Sequence, residues 1–166
     1  MNSAKDYLLQ IRLLDMRLKT IDETIKRIRG ELQSIGDISV RSSWPDGQPH
    51  GTMTTDPTGT QAVKLADANN AKREELVEEL KQYESDQIIV RSKLWAKQIE
   101  VLSVLDKVPD PTCHRLLVLR YVKGYTWERI AVDLDKTYQW VAGPLHGRAL
   151  VMVEEILKKD ELFSFS

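Results

Sequence analysis

The sequence predicts an all-α protein: a long antiparallel helical hairpin over residues 1–108, followed by a C-terminal helix-turn-helix domain over residues 109–160. Three observations predict it. Apolar residues near the amino terminus recur in alternating steps of four and three. A second stretch of matched length is amphipathic at helical spacing. Near the carboxy terminus, apolar and small residues fall where two short helices crossing at a tight turn require them.

The first helix carries Tyr7, Ile11, Leu14, Leu18, Ile21, Ile25, Ile28 and Leu32, a heptad pattern sustained for more than three repeats. Ser3 and Asp6 resemble a capping box at its start, and Gly36 is expected to end it. A helix of this length cannot bury its seam alone. These eight residues are therefore the candidate association surface, for a homodimer or higher oligomer, with an intramolecular hairpin as the competing use of the same seam.

A loop is expected at about 36–59, where Pro45, Asp46, Gly47, Pro49, Gly51 and Pro57 interrupt any apolar periodicity. Trp44 within it is expected to pack back on the helices. The second long helix is expected from about Thr60 to Lys107, with Leu76, Leu80, Tyr83, Val90, Leu94 and Val101 on one face and Gln87 and Lys97 interrupting that face.

The carboxy-terminal unit opens with a helix whose first turn suits Pro111 and whose C-terminal stop is Gly124. Thr126 can cap the next helix, whose apolar face is Trp127, Ile130, Ala131 and Leu134. Ala131 is small enough for a helix crossing. Asp135, Lys136 and Thr137 make a polar turn, and Val141, ten residues after Ala131, completes the shared core. Tyr138, Gln139, Trp140 and Ala142 then lie at or near the exposed start of the second helix, the part that usually meets base edges. Gln139 suits adenine in the major groove, whereas Lys136, Thr137 and Arg148 suit phosphates.

Gly143-Pro144 falls inside this second helix. Proline removes a donor and clashes with the carbonyl four residues back, at roughly 3 kcal/mol in a helix interior. A break or sharp kink is expected there, most simply with the recognition helix ending near Ala142 and a new helix opening with Pro144 in its first turn.

The residues Leu119, Arg120, Tyr121, Gly124, Thr126, Trp127, Ile130, Ala131, Leu145, His146, Arg148, Ala149 and Leu150 resemble region four of bacterial sigma factors. The run is most similar to late-transcription regulators of the RinA and ArpU type among small phage proteins of Gram-positive bacteria. It covers about a third of the chain, and the amino-terminal part is similar in layout only. The resemblance implies a sigma-like helix-turn-helix that contacts promoter DNA, alone or with RNA polymerase. It places Thr126, Lys136, Thr137, Tyr138, Gln139, Trp140, Ala142, His146 and Arg148 on the DNA side. One departure is Asp135, at the turn where the usual motif has glycine.

Composition limits the alternatives. The chain has 166 residues, 42% hydrophobic and 30% charged, with a formal net charge of −1, so no global field draws it to nucleic acid. Residues 111–150 hold six basic side chains (Arg115, Arg120, Lys123, Arg129, Lys136, Arg148) and three acidic ones (Glu128, Asp133, Asp135), a weak local excess. Few phosphates can be neutralised per subunit. His50, His114 and His146 lack a second ligand at metal spacing, and Cys113 is the single cysteine, so zinc and disulfide chemistry within one chain are not expected. The run Glu74, Glu75, Glu78, Glu79 reads as a solvated face. No catalytic, cofactor or metal site and no small-molecule substrate are expected. Nowhere do eighteen apolar residues run together, and a cytoplasmic location in a bacterial host is expected.

Two further uses of the same parts are open. One is a small DNA-packaging subunit of the terminase type, assembling as a ring. The other is an interaction module that binds polymerase or a host factor without touching DNA.

Overall fold

A computed structural model describes residues 3–41 and 57–164. Among the described residues every element is helical: α1 (Ala4–Arg41), α2 (Pro57–Leu105), α3 (Pro111–Leu117), a π-helical turn (Val118–Val122), α4 (Trp127–Asp133), α5 (Tyr138–Trp140), a second π-helical turn (Val141–Leu145) and α6 (His146–Ser164). Trp44, His50 and most of the expected loop lie outside the described residues.

The start of α1 is capped as its sequence suggests. The Asp6 amide donates to Ser3 Oγ at 3.3 Å, while the Ser3 hydroxyl donates to Asp6 Oδ2 at 3.0 Å. Its end is not where expected, because the helix runs through Gly36 to Arg41. A glycine inside a helix costs only about 1 kcal/mol, which flanking helix formers can absorb, so Gly36 is permitted to stop the helix but not obliged to. Pro57 begins α2, so the expected loop loses residues at both ends.

The described chain divides into two compact units, one of residues 19–88 and one of residues 1–18 with 89–166. The division falls inside both long helices and not at the expected boundary near residue 108. The reason is burial: Leu8 and Ile11 of α1 and Leu105 of α2 belong to the same apolar core as Leu116, Ile130 and Val153.

In the unit of residues 19–88, Ile21, Ile25, Ile28 and Leu76 are buried. Polar pairs link the two helices beside them. Gln87 Nε2 donates to Asp22 Oδ1 at 2.5 Å, Arg29 meets Glu84 at 2.7 Å, and Arg27 meets Glu79 at 3.6 Å. Gln87 is thus a partner of α1 and no gap in the apolar face. Among the described residues no cluster of histidine, cysteine and carboxylate side chains is arranged for a metal ion, and Glu79 is engaged with Arg27.

In the other unit, Lys97 sits 4.7 Å from the centroid of the Tyr7 ring and bonds both oxygens of Glu100 at 3.0 Å. Its long stem covers the seam while its charge is satisfied at the edge. Burial, with Glu100 close by, pushes the Tyr7 hydroxyl above its ordinary range.

The residues expected to serve association are covered to different degrees. Ile11, Ile21, Ile25 and Ile28 are buried within one chain, and Tyr7, Leu14 and Leu18 pack against its core. Leu32 is half-buried. Much of the heptad seam is therefore packed within the chain, with Tyr7, Leu14, Leu18 and Leu32 only partly covered.

Candidate nucleic-acid interface

The carboxy-terminal helices are held by side-chain caps, of which the sequence suggested Thr126. Asp110 receives the Thr112 amide at 2.9 Å and the Cys113 amide at 3.4 Å, and Pro111 occupies the first turn of α3, where its missing N–H costs nothing. The following π turn closes with the Lys123 amide on the Val118 carbonyl at 3.0 Å, and Gly124, at φ +71°, reverses the chain. That left-handed conformation is open to glycine at no steric cost.

Thr126 then caps α4, its hydroxyl oxygen accepting the Arg129 amide at 3.4 Å. On the buried side of α4 lie Ile130, 0% exposed, and Ala131. The helix ends in a Schellman arrangement: the Lys136 amide reaches back to the Ala131 carbonyl at 2.9 Å, and the Asp135 amide reaches the Val132 carbonyl at 3.1 Å. Asp135 stands at the residue usually given to glycine, at φ +52°. Its short polar side chain makes that conformation tolerable.

Thr137 caps the next helix, accepting the Trp140 amide at 3.4 Å. Helical backbone continues from Tyr138 through α6 without a break at Gly143-Pro144, but regular α-helix gives way there to a π turn over Val141–Leu145. Instead the turn widens: His146 N–H bonds the Val141 carbonyl, five residues back. A π turn inserts one residue per turn, which moves the proline ring off the carbonyl it would strike in a regular α-helix and leaves no four-residue bond for its missing N–H to break. Val141, Leu145, Ala149 and Val153 all remain buried along this path.

The expected DNA-side residues separate into two groups. Lys136, Thr137, Tyr138, Gln139 and Trp140 are consecutive and exposed at the turn and the start of the helix. The others are committed elsewhere. Thr126 serves as a cap. Ala142 is half-buried. His146 turns inward, its Nε2 2.9 Å from Tyr121 Oη and its ring edge-on to Trp127 with centroids 4.8 Å apart. Arg148 pairs with Asp110 at 3.2 Å. Burial, then Lys5 and Arg120, holds the His146 imidazole below its ordinary pKa, so the ring is neutral at pH 7.

The cations of this region are distributed unevenly. Arg115 lies 3.6 Å from Asp133 and Arg148 is paired with Asp110. Arg120 stacks over Trp127 at 4.4 Å while donating to the Tyr125 carbonyl at 2.8 Å, and Arg129 stacks over the Tyr125 ring at 3.7 Å. Lys136 stands at the exposed turn, its Nζ 5.9 Å from the Trp140 centroid.

Sequence reading missed one surface residue. Val132 is 82% exposed on α4, off the apolar stripe, and lines an open cavity with Ala131, Asp135, Lys136, Thr137 and Trp140. The available signal was an apolar β-branched residue standing off the stripe of Trp127, Ile130, Ala131 and Leu134.

Comparison with known protein families, with curated proteins and with solved structures gave no match to this chain. Among the described residues, no helix is long and apolar enough to cross a membrane.

Proposed function

We propose that the chain is a phage-type transcription regulator that binds double-stranded DNA through a sigma-like helix-turn-helix, formed by α4, the Asp135 turn and the helix beginning at Tyr138. The observation that carries the reading is the exposed run Lys136-Thr137-Tyr138-Gln139-Trp140, set by two hydroxyl caps and a Schellman turn on a core of Ile130, Ala131 and Val141. Such a segment presents amide, hydroxyl and ammonium groups from a rigid base, which is what major-groove reading needs. In this reading Gln139 meets a base edge, and Lys136 and Thr137 meet phosphates.

Occupied cations limit affinity. With Arg115 and Arg148, two of the six basic residues in the 111–150 window, paired to carboxylates, one protomer neutralises few phosphates, so RNA polymerase or a second copy supplies the remaining affinity. The same observation favours a second reading, an interaction module that meets polymerase or a host factor without DNA.

Fluorescence anisotropy with a mixed-sequence duplex at low salt separates the two. The proposal expects saturable binding that Gln139→Ala and Lys136→Ala each weaken. A parent protein that binds no duplex at any salt concentration contradicts it and leaves the interaction reading. Mass in solution addresses the packaging alternative, for which a ring of many subunits is the expected state.

A further inference from the structure

We propose that the open cavity beside the Asp135 turn is a binding site for an unstacked, amino-bearing nucleobase of single-stranded DNA, with cytosine the preferred base. The inference rests on the nucleic-acid reading above and adds a second ligand form to the same surface.

The cavity measures about 780 Å³ and is lined by Ala131, Val132, Asp135, Lys136, Thr137 and Trp140. This lies within the roughly 300–1,000 Å³ typical of small-ligand sites. Its walls are unusual for a surface turn. Trp140 is 39% exposed and Val132 far more so, so an indole ring and an isopropyl group face solvent where a solvated turn would carry polar side chains. A flat aromatic body is the ligand that covers such a pair, and a base freed from its neighbours offers that face.

The remaining groups supply the edge and the backbone. Asp135 is acceptor-only when ionised, so it selects an exocyclic amino group over a carbonyl, as carboxylates do with cytosine N4. The Thr137 oxygen already accepts the Trp140 amide, which leaves its hydroxyl hydrogen to donate to a ring nitrogen or carbonyl. Lys136 Nζ lies over the Trp140 ring at 5.9 Å from its centroid, so a stacking base either takes the opposite face or displaces the ammonium toward a flanking phosphate. The platform is rigid because the left-handed Asp135 is fixed by two backbone hydrogen bonds across the turn.

Oligodeoxycytidine, oligothymidine and a mixed-sequence duplex, each titrated into the full chain by anisotropy, test the site. The parent is expected to bind oligodeoxycytidine more tightly than oligothymidine. Trp140→Ala is expected to weaken oligodeoxycytidine binding by about tenfold or more, Trp140→Phe to restore most of it, and Asp135→Asn to abolish the preference between the two strands. Gln139→Ala is expected to weaken the duplex and spare the single strand. Equal affinity for the two single strands, or a loss of less than about threefold in Trp140→Ala, overturns the proposal. A parent that binds duplex but neither single strand also overturns it and leaves the duplex reading standing. Failure to bind all three probes removes both.

Discussion

Tyr121 Oη and His146 Nε2 lie 2.9 Å apart and join the two π-helical turns, Tyr121 from within the first and His146 at the end of the second. A wide turn gives up regular α-helical bonding, so each needs tertiary contacts to hold it. Here one hydrogen bond, with Trp127 edge-on to the imidazole, serves both. Tyr121→Phe is therefore expected to cost about 1 kcal/mol in chemical denaturation, and an unchanged denaturation midpoint would deny the bond a stabilising role.

Acid should act through the same pair. Burial, then Lys5 and Arg120, lowers the His146 pKa below the ordinary 6.5, while Tyr121 faces it as a neutral partner with a raised pKa of its own. The unfolded chain thus takes up the proton first as pH falls. The stabilisation is fully present above about pH 6.5 and is lost as pH drops through the unfolded value toward the folded one. Denaturation midpoints measured from pH 7 to pH 5 should decline in the parent and decline less in His146→Gln. Parallel slopes for the two proteins would count against this assignment.

At the Schellman turn, Asp135 holds φ +52° at the position where glycine is least strained. Asp135→Gly relieves that strain, partly offset by the greater freedom of glycine in the unfolded chain, for an expected net gain of about 0.5–1 kcal/mol. The measurement is thermal unfolding of the two proteins, and a lower midpoint in the glycine variant would contradict the turn geometry.

Cys113 is fully buried at the start of α3, and burial, with Asp110 beside it, pushes its thiol up to about 11. The thiolate is the reactive form, so modification by a thiol reagent at pH 8 should proceed only as fast as the protein opens. Rapid stoichiometric labelling of the native protein would show that the α3 turn is not packed as described.

Because Ile25 and Ile28 are buried within one chain, Ile25→Ala should lower stability by about 2–4 kcal/mol without making unfolding depend on protein concentration. If that variant instead shifts a monomer–oligomer equilibrium in sedimentation, the seam is an interface between copies.

How far these features could be read from the residues varies with the physics behind them. Thr126, Ile130, Ala131 and Val141 were legible because capping chemistry and helical spacing act locally. The seam of Tyr7 to Leu32 was legible as an apolar face, but periodicity does not say which surface covers it, and Ile11 shares a core with Leu116 and Ile130. Pro144 produced a π turn where a break was favoured, because a wider turn relieves the ring's clash with the preceding carbonyl even though the missing donor is not restored. For His146 the sequence left two uses open, the DNA side or packing on the preceding helix, because an imidazole at a motif position looks the same in either; its ring bonds Tyr121. Val132 carried no signal in the apolar stripe, since its role is to be exposed.

The most direct test of the account is to follow backbone amide resonances of the full chain while a mixed-sequence duplex is added at low salt. The largest shifts are expected at Lys136 through Trp140, with small changes at Ile21, Ile25 and Ile28 in the seam. Shifts confined to other surfaces, or none at saturating duplex, would contradict the assignment of this turn as the DNA-reading surface.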